Sequence, residues 1–447
     1  MTTGAIRRTT EWRSWGRVDR GEHFVATPGY RADVIDAFQS FADASQSTLA
    51  VGLGRSYGDS GLNVGNGLIN MGGVDRLMAF DDERGVLRAE AGASVWDILE
   101  FAVPRGYFLP TTPGTRFVTL GGAIANDVHG KNHHSAGTIG CHIERICLLR
   151  SDRGVVEIAA DKEPELFAAT IAGLGLTGVI LWADLKLTRI PSSVVAVETT
   201  PFENLNEFYE RAKATGDKAE HTVAWVDCLA SGDSLGRGLF TAADWDEKAA
   251  TRKIARPGGL TAPFETPSFL LNRLTIAAFN EFYYRLGRMR AGRTTLAYDK
   301  FHYPLDGVRE WNRLYGPRGF YQYQSVIPPK DAAEATREML RAISKEGDGS
   351  FLAVLKTFGA RRSPGLLSFP MEGTTLALDF PNRGEKTLQL FATLDKIVMD
   401  AGGRLYPAKD GRIPPGVFHA SYPHAEKFAE HIDPQLSSTF WERVKRT

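Results

Sequence analysis

Three glycine-rich runs crowd the first 180 residues: GLGRSYGDSGLNVGNG (52–67), TTPGTRFVTLGGAIANDVHGKNHHSAGTIG (111–140) and AGLGLTGVI (172–180). Glycine enters backbone conformations closed to other residues and lets the chain approach a bound group closely. One such run is turn chemistry between strands. Three in one region point instead to backbone-lined recognition of something large. Between the runs the pattern alternates: a helix in PGYRADVIDAFQSFADA, strands in STLAVGLG, LINMGG, GVLRAEAG and GYFLP, and a helix in SVWDILEFAV.

From about residue 196 the glycine clusters stop and longer polar and aromatic stretches take over. FHYPLD, GFYQYQSVIPP, SFLAVLKTF and TTLALDFP read as strands of a second domain. DAAEATREMLRAISK reads as an amphipathic helix among them, and TLQLFATLDKIVMDAGG as another helix. A chain of 447 residues is longer than one hydrophobic core usually serves, so two domains, or one with an insertion, are expected.

Charge excludes some functions. Lys plus Arg and Asp plus Glu both number 53, so no net basic field suggests polynucleotide binding, although a local basic pocket for a phosphate is compatible with this balance. Cys141, Cys147 and Cys228 are too few and too badly spaced for a disulfide framework or thiolate metal cluster. The first residues lack the apolar core of a signal peptide, and no apolar run reaches 18 residues. The expected location is cytoplasmic or peripheral at a membrane.

HGKNHHSAGTIGCH, His129 to His142, holds four of the ten histidines. A zinc site is disfavoured: HEXXH is absent, no carboxylate lies among the histidines, and Lys131 would oppose a cation. No metal is expected, and the glycines at 130, 137 and 140 argue against a helix. GLGRSYG fits neither the dinucleotide fingerprint, which needs GxGxxG, nor a Walker loop, which needs GK[ST]. Successive backbone N–H groups of such a turn can still hold a diphosphate. Gln322 and Gln324, two apart, share one strand face and offer amide donors and acceptors to a polyol.

Taken in order, GLGRSYGDS (52–60), PGTRFVTLGGAIANDVHGKNHHSAG (113–137), GLTGVI (175–180), EWNRLYGPRGFYQYQ (310–324), LSFP (367–370) and GGRLYPAKD (402–410) resemble the FAD-dependent oxidoreductases of the vanillyl-alcohol oxidase type. HGKNHHSAG resembles more narrowly the decaprenylphosphoryl-beta-D-ribose 2'-oxidase family. The resemblance implies an α+β fold: a two-part FAD-binding domain, residues 1–195 and 406–447, with an α+β substrate domain inserted at 196–405 and built on an antiparallel sheet.

It also implies site residues. FAD would be lined by Gly52, Gly54, Arg55, Ser56, Tyr57 and Gly58 in the first run. Gly114, Thr119, Gly121, Gly122, Asn126, His129 and Gly137 would follow in the second, and Gly178 in the third. A related subgroup of oxidases carries a flavin-linked histidine where this chain has Arg55, so the FAD is expected to be noncovalent. Tyr57, Lys131, Trp225, Arg313, Gln322, Gln324, Lys356 and Lys409 would face the substrate. Lys409, His129 and Lys131 would be catalytic, with Lys409 stabilising the alkoxide or taking its proton.

The implied reaction is oxidation of a secondary hydroxyl of a polyprenyl-phosphate-linked pentose, with hydride passing to flavin N5. The 2'-keto sugar would then go to a short-chain dehydrogenase partner that forms the arabinose epimer, an arabinan precursor of the cell wall. A quinone is the acceptor that suits a lipid-linked substrate. Peripheral membrane contact is compatible with these expectations, and nucleic-acid partners are not expected.

Two departures stand out. His302 and Tyr303 are in reversed order relative to the family, and Thr375–Leu376–Ala377 replaces a segment ending in cysteine. These bear on the sugar and lipid more than on the redox step. An oxidase of a free sugar, alditol or sugar lactone, and a non-catalytic flavin-binding protein, are the competing readings.

Overall fold

The computed structural model describes residues 6–250, 260–262, 265–267, 270–347 and 349–445. The ends of the expected first and last segments, 1–5 and 446–447, lie outside the described residues. The fold is α+β, of the vanillyl-alcohol oxidase type with an inserted substrate-binding domain.

The N-terminal part holds two small sheets besides the two-stranded pair Tyr107–Phe108 and Thr188–Arg189. One has the strand order Arg7–Thr9, His23–Ala26, Gly67–Asn70, Thr48–Val51. The other is antiparallel: Leu77–Asp81, Val86–Glu90, Val179–Lys186, Ile143–Arg150, Gly154–Ile158. Its central strand, VILWADLK, is apolar almost throughout because both faces are covered. The helix Val95–Ala102 starts at Ser94, whose hydroxyl accepts from the Asp97 N–H at 3.1 Å while the Asp97 carboxylate accepts from the Ser94 N–H at 3.0 Å.

An eight-stranded antiparallel sheet fills the middle of the chain. Its order is Gly292–Ala297, Val194–Phe202, Gly238–Trp245, His221–Val226, Ala353–Phe358, Gly373–Pro381, Phe320–Ile327, Arg404–Leu405. The helices Ala332–Glu346 and Glu385–Asp400 cover one face. Ala335, Met339, Leu340 and Ile343 of the first are buried at helical spacing.

After Leu405 the chain returns to the N-terminal part. Arg443 donates to both carboxylate oxygens of Asp59 at 2.9 and 2.8 Å, and to Asp410 at 3.1 Å. The Tyr57 N–H donates to the Ala408 carbonyl at 3.0 Å. The tail is thereby tied to the first glycine run.

Two expectations are corrected. FHYPLD is not a strand: Tyr298–His302 is helical, and a 3₁₀ turn, Pro304–Gly307, follows it. Tyr298 and Phe301 are buried on one helical turn that lies against the strands Val194–Phe202 and Gly292–Ala297 of the large sheet, with Tyr298 also packed on Phe108, and Pro304 opens the next turn. The histidine run does contain a turn of helix, His133–Ala136, confined between Gly130 and Gly137. His129 lies outside it, in a bridge to Thr138. Among the described residues no helix is long and apolar enough to cross a membrane.

Candidate active site

A cavity of about 940 Å³ lies where the three glycine runs, the large sheet and the returning tail meet. That is the upper end of the roughly 300–1,000 Å³ common for ligand sites. Loops 50–61, 112–131 and 174–180 form one wall. Gln322, Gln324, Lys356, Thr375, Ala377 and Asp379 project from three neighbouring strands on the other, and Tyr406, Ala408 and Lys409 close one end.

The loop wall has the form of a cradle for a large polar group. A Cβ on Gly52 would collide with the Thr119 hydroxyl, and one on Gly121 would come within 2.9 Å of the Ala91 methyl, so both positions let loops approach that otherwise could not. Thr119 Oγ1 accepts from the Gly122 N–H at 3.2 Å and fixes the turn between them. Six buried polar atoms on residues lining the cavity have no protein partner: Ser14 Oγ, Ser60 Oγ, Asn126 Oδ1, His129 Nδ1, His302 Nε2 and Asp379 Oδ2. Each such atom costs about 1–3 kcal/mol when left unpaired, so the set suits a polar occupant. The Arg55 guanidinium stacks 4.1 Å from the Trp15 ring centroid.

The cavity is electrostatically unusual because it gathers three lysines, one each from the loop wall, the strand wall and the closing end. Lys131 Nζ donates to the Phe301 carbonyl and lies 4.1 Å from that ring's centroid. Lys356 Nζ donates to the Gly130 carbonyl at 3.4 Å. Lys409 Nζ lies 4.0 Å from the Tyr57 ring centroid. Burial lowers all three: Lys131 to about 7, with Lys356 adding repulsion, and Lys356 to about 8. Lys409 also falls to about 8 through burial, opposed by Asp379 and assisted by Lys356.

His129 is packed by Phe358 and Tyr406, with ring centroids 4.8 and 5.5 Å away. The Gln324 amide donates to its Nε2 at 3.2 Å. Burial first, then Lys356, holds this imidazole neutral, well below its ordinary range. Trp225 donates from Nε1 to the Phe351 carbonyl at 3.0 Å and meets Tyr283 at 4.8 Å, building an aromatic rim.

Most of the expected site residues line this cavity; three do not. Gly58 is pressed against the Asp410 carbonyl, so its role is to admit the tail. Gly137, at φ +73°, packs against Arg361 and Cys141. Arg313 points elsewhere, donating to the Ala262 carbonyl at 3.2 Å.

His134 and His142 are engaged by the carbonyls of Ala219 (2.9 Å) and Ala136 (2.8 Å), and His133 stacks 4.4 Å from Phe358. Among the described residues no group of three or more His, Cys, Asp or Glu side chains could hold a metal ion.

Asp379 is the residue the sequence reading overlooked. It is buried, its Oδ1 accepts from the Gln322 amide at 2.6 Å, and its Oδ2 has no partner. Burial lifts its carboxyl to about 7, against the pull of Gln322 and Lys409. The signal was one carboxylate inside the apolar run TLALDFP, but only the strand register sets Asp379 opposite Gln322 and Ala377 opposite Gln324.

Fold and cavity together define an FAD-dependent oxidoreductase acting on CH–OH groups. A family model described as an FAD binding domain matches residues 23–158. The decaprenylphosphoryl-beta-D-ribose oxidase of Mycolicibacterium smegmatis is 35% identical over 444 residues, covering 96% of this chain and 95% of that protein. An uncharacterized protein of Streptomyces coelicolor is 32% identical over 78% of this chain and 98% of its own length. The L-galactono-1,4-lactone dehydrogenase of Arabidopsis thaliana is 28% identical over only 36% of the chain and 26% of its own. The chain therefore belongs to the decaprenylphosphoryl-beta-D-ribose oxidase family.

Proposed function

We propose that this protein oxidises the 2'-hydroxyl of a polyprenyl-phosphate-linked pentose to the 2'-keto sugar. The observation that carries this reading is the convergence of Lys131, Lys356 and Lys409 with Gln322, Gln324 and Asp379 on one cavity, shared with the glycine loops. A free sugar needs the amides, the carboxylate and one amine at the reacting hydroxyl but has no use for two further ammonium groups.

Gly52, Gly54, Ser56, Thr119, Gly121, Gly122, Asn126 and Gly178 would hold FAD, without a covalent link because Arg55 stands at the position of the linking histidine. When bound, FAD supplies the two-electron acceptor for the carbon-bound hydrogen. Lys409 meets the reacting hydroxyl. Its lowered proton affinity makes the neutral amine available as acceptor of the hydroxyl proton, and the resulting ammonium then faces Asp379. Asp379 holds the Gln322 amide through Oδ1, so the amide carbonyl is oriented for a sugar hydroxyl, while Oδ2 is left to accept from another. Neutral His129, fixed by Gln324, donates from Nδ1. Lys131 and Lys356 hold the phosphate as point charges. Trp225 and the aromatic rim exclude water.

Residues 196–405 would form the substrate-binding unit, with 1–195 and 406–447 forming the FAD-binding unit. A quinone would accept the electrons, and a short-chain dehydrogenase would consume the keto sugar on the way to an arabinan precursor.

Anaerobic mixing of the purified protein with polyprenyl-phosphoryl ribose is expected to bleach the flavin absorbance, whereas ribose and its lactone leave it unchanged. Equal bleaching by the free sugar would overturn the lipid-phosphate assignment. Binding should also depend on pH. Lys131 and Lys356 are charged below about 7 and about 8 respectively and lose that charge as pH rises. Loss of one charge-assisted contact is worth about 1.5–3 kcal/mol. The Kd for the phosphorylated substrate should therefore rise roughly tenfold to a hundredfold between about pH 6 and about pH 9, read by spectral titration. A flat profile would remove these lysines from the phosphate.

A further inference from the structure

Exposed large apolar side chains are not spread evenly over this molecule. Of the 16 among the described residues, nine fall between Leu260 and Leu314, and five of those nine belong to one helix, Arg273–Met289. That helix buries Ile276, Asn280 and Tyr284 against the large sheet. Its opposite side is also apolar. Leu274 (79% exposed), Ala278, Phe282 (64%) and Met289 (84%) form a solvent-facing stripe, flanked by Phe279 and Tyr283. A helix packed in a soluble core keeps one apolar stripe; a second one, facing outward, needs an occupant.

Charge and position identify it. Arg285, Arg288 and Arg290 of the helix, with Arg293 on the strand that follows it, lie beside the stripe. The acids facing them are fewer: Glu281 pairs with Arg285 and Arg237, Glu203 with Arg288, and Glu198 with Arg293. The border therefore keeps a positive excess. Apolar and aromatic side chains bordered by arginine are the composition of a helix lying in a membrane interface, where the chains enter the acyl boundary and the guanidinium groups meet anionic headgroups. Phe279 and Tyr283 belong both to this face and to the cavity lining, so the mouth of the cavity opens on the same side. A second copy fits less well, because a two-fold pairing of this patch sets one arginine border against the other.

We propose that the outer face of the helix Arg273–Met289 docks the protein onto an anionic lipid bilayer, with the cavity mouth turned toward the membrane. The docking does not depend on which sugar the cavity takes, so it stands or falls apart from the proposed substrate.

The test is flotation of the FAD-loaded protein with vesicles of phosphatidylcholine alone or mixed with phosphatidylglycerol. The protein should float with the anionic vesicles, less so as salt is raised. The double variant Phe282→Ser/Met289→Ser, which touches no cavity residue, should lower the bound fraction about tenfold or more while keeping FAD content and melting temperature. A wild type that stays with the soluble fraction, or a double variant that floats equally well, overturns the proposal. So does sedimentation showing a dimer that the double variant converts to a monomer, since the face would then belong to a second copy.

Discussion

Lys409→Ala is expected to abolish practical turnover while leaving the holoprotein intact. The side chain makes a ring contact with Tyr57 and faces Asp379 without a close ion pair, and it lies in a cavity already crowded with positive charge, so its loss relieves repulsion from Lys356. Melting temperature should change little, and FAD should be present in wild-type amount and released by acid into the supernatant, as a noncovalent cofactor is. Substrate-driven bleaching should slow by about 10²–10³-fold, the usual cost of removing a group that meets charge developing in the transition state. Lys409→Arg separates the two roles of the amine. A guanidinium never gives up its proton in this range, so it restores charge and not basicity, and the expected result is no rescue. The wild-type bleaching rate at saturating substrate should then rise with pH through about 8, where the amine becomes neutral. Affinity falls over the same range, so rate and affinity move in opposite senses. Normal bleaching by Lys409→Ala would remove the residue from the reaction.

How much of this was legible in the sequence differs between fold and site. Period-two segments such as FYQYQSVI and TTLALDFP announce their strands, and the 3.6-residue spacing in AAEATREMLRAISKE announces its helix. FHYPLD misled because a short run of buried aromatics suits a strand or a buried helical turn equally well. The site was legible only through motif resemblance. His129, Lys356 and Lys409 are scattered over some 280 positions, and no local spacing gathers them. Asp379 stayed hidden because its meaning depends on a cross-strand partner, Gln322, that only register supplies. The outer stripe of the helix Arg273–Met289 was equally hidden, since apolar residues on two sides of a helix reveal which side is solvent only once the sheet is in place.

Gly58→Ala should be the most damaging of the glycine substitutions in the first run, and for a reason unconnected with cofactor contact. The backbone at Gly58 is extended, at φ −101° and ψ −152°, so alanine can adopt it. Space is what alanine lacks: its methyl would fall on the Asp410 carbonyl and 2.6 Å from the Gly411 nitrogen, both backbone atoms that cannot rotate aside. The segment around Asp410 is pinned in turn. Its carboxylate accepts from the N–H groups of Arg412 and Ile413 at 3.0 and 2.7 Å and from Arg443 at 3.1 Å, and Arg443 also holds Asp59. Relief must push out this loop or the turn beside it, at about 1–3 kcal/mol for overpacking alone. Lys409 moves with the loop, and a displacement of about 1 Å at a reacting group can cost 10²-fold in rate. A lowered melting temperature together with slowed bleaching is therefore expected. Gly114→Ala is the contrast, since Gly114 lines the cavity but its added methyl would meet nothing within 4 Å. That variant should fold like the wild type, and any effect it has should be on FAD retention alone. If Gly58→Ala melted and reduced like the wild type, the tail would not be locked to the first glycine run, and the position of Lys409 would need another explanation.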